Sequence, residues 1–345
     1  MQYNVKKYMI DTEENKVFLR EIRENLLNFG HRFPSPWGSS YYLGDDGTPW
    51  KDYKRETWIT CRMAHVYSIG TLLGYEGSGE LVDDALRGLK GELHDSVNGG
   101  WYPGITADGA ILPDKQCYAH AFVILAASSA MLAKREGAEE LLEEALELFE
   151  CRFWDDKEGL AVDTWNTEFS VLNDYRGLNA NMHTVEAFLA VADATGREMY
   201  RSRAGRIIEH VISWAAGNKW RIPEHFTKEW KADGAAGIVY TTDWEGKPVI
   251  HDRMHWTLAE AINTSAVLYH VTKNERYRSD YGNFMEYLDR QVLDHVNGSW
   301  FHQMNEKGEV TGSVWPGKSD IYHALQATLI PYCKPEISVA SAIRK

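Results

Sequence analysis

Apolar residues recur at helical spacing through most of the chain. In residues 13–29 they fall at Val17, Phe18, Ile22, Leu26, Leu27 and Phe29, one stripe of an amphipathic helix. The same period runs through 56–74, 79–94, 116–135 and 138–153. It resumes at 180–195, 198–215, 255–272 and 275–295 and ends with a short stretch at 319–330. Asn and Asp lie near several starts. Gly74 and Gly196 follow two of the ends, where a left-handed residue commonly closes a helix. Long alternating Val/Ile/Thr runs are missing, so the short Gly-bounded stretches between helices are the best strand candidates. The pattern predicts an all-α chain of about ten helices with small hairpins in some connections.

The connections themselves repeat. Gly- and Trp-rich loops begin at Trp37, Asn98, Glu158, Gly217, Gly237 and Asn297, in steps of 61, 60, 59, 20 and 60 residues. A step near 60 holds one loop and two helices, and such units bury their apolar faces on their neighbours. Six loops predict an (α/α)6 toroid of helical hairpins. The fourth step leaves only residues 221–236, too few for two helices. The expectation is therefore a single domain over 1–345, an incomplete ring of about ten of twelve helices, with a helix pair missing between about 230 and 237.

Composition narrows the partners. The chain has 345 residues, 44% hydrophobic and 25% charged, with a net charge of −13. That is a globular composition, and its sign argues against nucleic acid or an anionic membrane as partner. No apolar run is long enough to span a bilayer, and the N-terminus lacks the apolar core of a secretory signal. Four cysteines without CxxC spacing read as reduced thiols, so a cytoplasmic location without disulfides or zinc is expected. Thirteen Trp, 18 Tyr and 11 Phe suit a core and, in the loops, an aromatic-lined pocket for a small molecule.

Several segments could carry chemistry. Trp58 and Arg62 lie four apart on one helical face, with His65 beyond them, and an Arg among apolar residues needs an acidic partner or a polar ligand. The segment Tyr175–Glu186 opens another helix, with Asn179 or Asn181 as its cap. His183 is then placed in the first turn, where the helix dipole favours the neutral ring. Tyr118, at the start of a third helix, could orient a hydroxyl-rich ligand. His323 falls in the first turn of the last helix, with Ser319 or Asp320 as cap. In a ring of inner helices, His183 and His323 could face one mouth. Asp163, Asp174 and Asp243 could form a glycosidase carboxylate pair, although loop acids more often cap helices or face solvent.

The stretches WITCRMAHVYS, KQCYAHAF, YRGLNANMHTVEAFLA, EHFTKEW, GIVYTTDWEGKPV, NGSWFH and KSDIYHALQATLIP resemble the N-acylglucosamine 2-epimerase superfamily, nearest to its aldose–ketose isomerases acting on mannose and on sulfoquinovose. The resemblance spans nearly the whole chain. It implies an (α/α)6 toroid, a small-molecule sugar substrate, and no metal or cofactor. It also implies histidine-mediated proton transfer between C2 and C1 through an enediol. Carried over by motif, it makes His183, His323 and Arg62 catalytic, and Trp58, Tyr118, Asn179, Trp244 and His302 substrate-binding.

One departure stands out. After EHFTKEW the family continues through two further helices, the first bearing a His and Glu of the acid/base apparatus, whereas here Trp230 is followed almost directly by Gly237. His225 and His251 flank this gap outside the expected helical context. The reading is a mannose/fructose-type isomerase lacking one catalytic helix. The alternatives are an inert sugar-binding relic, an N-acylglucosamine 2-epimerase or a glycosidase. Self-association would cover the apolar wall that the gap leaves.

Overall fold

A computed structural model describes residues 5–219, 222–231, 252–305 and 307–344. Its α-helices are α1 (Glu13–Gly30), α2 (Thr57–Leu73), α3 (Ser78–Lys90), α4 (Cys117–Leu132), α5 (Ala138–Arg152) and α6 (Leu178–Thr195). They continue as α7 (Glu198–Gly217), α8 (His255–Thr272), α9 (Glu275–Tyr287), α10 (Tyr322–Ala327) and α11 (Val339–Ile343). Most bounds fall within a few residues of the apolar stripes that predict them. The expected 275–295 helix stops at Tyr287 and passes into a π-turn at Leu288–Val292. The last helix begins at Tyr322 and not at 319. The short α11 carries too little periodicity to be foreseen.

Two kinds of helix build the ring. α2 and α4 are apolar all round and buried on nearly every side, which is what an inner position requires. α3 and α5 alternate buried leucines with exposed acids and form the outer wall. α2 packs on α4 and α4 on α6, while α10 packs on both α8 and α2. The hairpins α2–α3, α4–α5, α6–α7 and α8–α9 each fold one inner helix back along an outer one. Among the described residues, α6 and α8 do not pack on each other as the other inner neighbours do. Left-handed glycines close α2 and α6 (Gly74, φ 84°; Gly196, φ 74°), as their sequence positions predict.

Two-residue strands lead into the inner helices. Arg55–Glu56 pairs with Gly104–Ile105, Lys115–Gln116 with Thr164–Trp165, Arg176–Gly177 with His225–Phe226, and Arg253–Met254 with Gln303–Met304, all antiparallel. Each pairing ties the start of an inner helix to the loop of the next hairpin. It thereby fixes the rim at which the inner N-termini converge. Two buried ion pairs reinforce it: Lys115 Nζ sits 2.8 Å from Asp95, and Lys318 pairs with Asp294. α11 closes the other end of the ring, packing on α2, α4 and α6.

Candidate active site

The strand-to-helix junctions set a register that the sequence already carries. A basic residue stands two positions before α2, α4, α6 and α8 (Arg55, Lys115, Arg176, Arg253). Seven residues on from each come Arg62, Phe122, His183 and Glu260. The last inner helix starts out of step, so His323 reaches the same region from its first turn.

Side chains from these helices meet. Arg62 Nη2 donates to Tyr118 Oη at 3.1 Å, and its guanidinium lies over Trp58 (4.8 Å), Phe122 (4.6 Å) and Tyr322 (4.9 Å). The His183 ring is edge-on to Tyr118 at 5.1 Å and 4.5 Å from Phe122. Tyr322 donates to Glu186, which also takes His183 Nδ1 at 3.2 Å and Gln326 Nε2 at 3.2 Å. Thus His183 and His323 share one group of contacting side chains.

Asp320 is the hub of the other half. It is 1% exposed, and its Oδ2 lies 3.2 Å from Arg62 Nη1, 3.1 Å from His255 Nε2 and 2.5 Å from His323 Nδ1. Burial pushes its carboxyl up, but His323, Arg62 and His255 outweigh this and hold it well below the usual carboxylate range. Arg62 is therefore an ion-pair partner as well as a site residue. Burial lowers His323 to about 4 against the opposing pull of Asp320. The neutral ring donates Nδ1–H to Asp320, leaving Nε2 as the acceptor. His183 is likewise lowered, first by burial, with Glu186 opposing. Glu186 is raised by burial but brought to about 2 by His183 and Tyr322.

Some expected details differ. His183 is the sixth residue of α6, in its second turn, so burial and not the helix dipole keeps it neutral. Neither Asn179 nor Asn181 caps α6: Gly177 holds that position. Asn181 instead binds Ala161 N and O and Gly177 O, tying the helix to the preceding loop. Asn179 is exposed one turn above His183, its backbone N–H on Glu224. The last helix is preceded by Ile321, although Asp320 Oδ1 accepts from Tyr322 N at 3.2 Å. His302 is 2% exposed and lies behind His255, stacked at 4.0 Å and accepting Asp320 N–H at Nε2. Trp244, His251 and Asp243 fall outside the described residues. Asp163 is half-buried and Asp174 exposed.

Five groups escaped assignment from sequence. Asp320 stood in the quoted motifs only as a candidate cap, Glu186 stood there without a role, and His255 went unremarked, because their partners lie far along the chain. Glu260 has an exposed side chain, yet its pKa is raised to about 7, by desolvation first and then by Glu186 and Asp320. The register of basic residues could have found it. Trp315 packs on Trp58 at 5.6 Å and on His302 at 5.2 Å, its Nε1 without a partner.

Among the described residues one group offers ligand atoms for a metal: those of His255, Asp320 and His323 lie within 4.8 Å of one another. Both rings point at the same carboxylate oxygen that Arg62 approaches, so a cation there would face a guanidinium. The donor set fits a hydrogen-bonded hub better than a metal centre.

The sequence profile of the N-acylglucosamine 2-epimerase (GlcNAc 2-epimerase) family matches residues 38–236 and 230–327. The chain belongs to this family. A D-mannose isomerase of Thermobifida fusca is 33% identical over 394 aligned positions, covering 95% of this chain and 97% of the relative. A D-mannose isomerase of Pseudomonas cannabina pv. alisalensis is 35% identical over 354 positions, covering 83% and 85%. Among solved structures, a D-mannose isomerase superposes with a TM-score of 0.83 at 22% identity (92% of this chain, 97% of that one). A cellobiose 2-epimerase from Spirochaeta thermophila gives 0.80 at 18% (93% and 98%). These two share the (α/α)6 toroid. The chain is accordingly a sugar isomerase/epimerase, and among the described residues no helix is long and apolar enough to cross a membrane.

Proposed function

We propose that this family member interconverts a hexose aldose and its ketose, mannose and fructose first, by proton transfer through an enediol. The observation that carries the reading is His323, held neutral with Nδ1–H on the Asp320 oxygen that Arg62 also approaches, which leaves Nε2 as a base. In the open-chain aldose, Nε2 takes the proton from C2. The electron pair forms the C1–C2 double bond, and O1, the former carbonyl oxygen, becomes the enediolate oxygen. Arg62 stabilises that oxygen. O1 gains a proton, O2 loses one to become the ketone, and His323 returns its proton to C1. His183 serves ring opening at the anomeric hydroxyl. Trp58 and Tyr118, with Trp244, line the faces of the sugar. Asn179 binds a hydroxyl, and His302 supports the Asp320 hub from behind.

The missing helix pair between about 230 and 237 belongs to the same proposal. Its support is that the family profile matches in two stretches meeting at 230–236, and that 394 aligned positions exceed the 345 residues of the chain. That gap favours a second reading, a sugar-binding chain without turnover, since the resemblance puts the other acid/base His and Glu on the absent helix. Incubation with mannose, assayed for fructose beside His323→Ala, separates the two. Fructose formed by the wild type and lost in the variant supports the isomerase, and equal background rates support the relic. N-acetylmannosamine tests 2-epimerisation in the same assay. Activity is expected to survive EDTA, and a loss restored by a divalent ion would contradict the proposed mechanism.

A further inference from the structure

Beneath the sugar site, toward α11, lies a second cavity of about 270 Å³. Its upper wall holds His65, Glu186 and Gln326. Its sides are apolar, with Leu125, Leu189 and Val267, and residues 333–339 form its outer edge. The Glu186 side chain keeps 29% of its surface accessible although it sits among inner helices and binds both His183 and Tyr322. The protonation of His65 follows from its neighbours. Ser129 gives its hydroxyl proton to Leu125 O (2.9 Å), so Ser129 Oγ must accept from His65 Nδ1–H (2.7 Å). Burial lowers His65 to about 4, so the ring is neutral and Nε2 is a bare acceptor. That atom is buried and has no protein partner, and the His65 residue is part of the cavity wall. A dry chamber would leave the accessible part of the Glu186 carboxylate without water, at a cost of about 1–3 kcal/mol. A space of this size with several polar partners suits ordered water.

We propose that this lower cavity is a water-filled proton conduit joining Glu186, and through it His183, to solvent behind the bound sugar. The inference rests on the isomerase reading. A sugar seated at the rim covers His183 Nε2 from the front, while ring opening and closing require that group to gain and shed protons. In the conduit, a proton leaves His183 Nδ1 for the Glu186 carboxylate and passes to a cavity water. His183 Nε2 meanwhile takes the anomeric hydroxyl proton as the bond from C1 to the ring oxygen breaks, and a water at the mouth gives the ring oxygen its proton, so imidazole and sugar both end neutral and one proton has passed from the mouth to the cavity. Closure runs the same steps backwards. Glu186 is then a positioning and relay group, and the α11 end of the ring is its vent.

Two measurements test this. A crystal structure of the wild-type chain should show ordered water in the cavity within hydrogen-bonding distance of Glu186, and a dry cavity would overturn the proposal. Val267→Phe and Ala190→Leu fill the chamber without touching the sugar site. In the mannose assay either filled variant, checked for native circular dichroism, should lose about tenfold in kcat with KM within twofold, less than the loss on removing an acid/base group outright. Imidazole buffer, reaching His183 between turnovers while the mouth is empty, should restore the rate in a concentration-dependent way while leaving the wild type unaffected. A wild-type kcat in a folded variant, or a loss that buffer does not restore, would contradict the conduit. Absence of turnover in the wild type would instead contradict the isomerase reading, with the water test still deciding the cavity.

Discussion

The two sides of the ring are built to different standards. α4, flanked by α2 and α6, buries 14 of its 16 residues. α8, flanked among the described residues by α10 alone of the inner helices, buries 6 of 18, although its sequence is as apolar as that of α2. An inner helix is dry only when both flanks are covered. The ring therefore keeps a rigid half (α2, α4, α6) that carries Arg62, Tyr118 and His183. Its thinner half carries Glu260, His255 and, through α10, His323. Asp320 joins them, since its single oxygen is shared by Arg62 on one side and His255 and His323 on the other.

The sharpest way to break this comparison is to remove chemistry from the thin side. His323→Ala should lower kcat for mannose by about 10²–10⁴, and a smaller change would mean that the rigid half works without it. Asp320→Asn should destabilise the fold by about 3–5 kcal/mol in urea unfolding, because Arg62 would then be a buried charge without its counter-ion. Core truncation sharpens the contrast. Ile124→Ala in α4, at a fully buried position, should cost about 2–5 kcal/mol, and Leu258→Ala in α8, half-buried, about 1 kcal/mol. Equal costs would deny that the halves differ. Amide exchange should follow the same order, with α8 and α9 exchanging before α2 and α4.

Acid should act on both halves. His65 and His323 are held near 4, below the 6.5 of the unfolded chain. Between those values the unfolded state binds more protons, so stability should fall steadily as pH drops from about 6.5 to 4. Glu186, held near 2, adds a further loss below about 4.5, as protonation dissolves its contacts with His183 and Tyr322. Urea midpoints across this range would show the slope, and a flat profile would mean that these histidines are charged in the fold.

Much of this was legible in the residues. The helices follow their apolar stripes, and the loops near 60-residue spacing mark the ring. The motifs around Arg62, Tyr118, His183 and His323 lead to one group of contacting side chains. Residues whose role depends on distant partners stayed hidden. Asp320 looked like a helix cap because nothing local reveals that residues 62 and 255 reach it. His183 was placed one turn too early because Gly177, with no capping side chain, starts α6. His302, expected to bind substrate, stacks on His255, a contact that nothing in the local sequence reveals. Glu260 went unnoticed until the basic residues two positions before four inner helices put those helices in register.

The most direct test of proton shuttling at His323 is isomerisation of mannose in D2O, followed by NMR at C1 of the fructose formed. The account predicts deuterium at C1, because a proton held on an imidazole exchanges with solvent before it is returned. Fructose carrying only the original hydrogen, made equally well by His323→Ala, would contradict it.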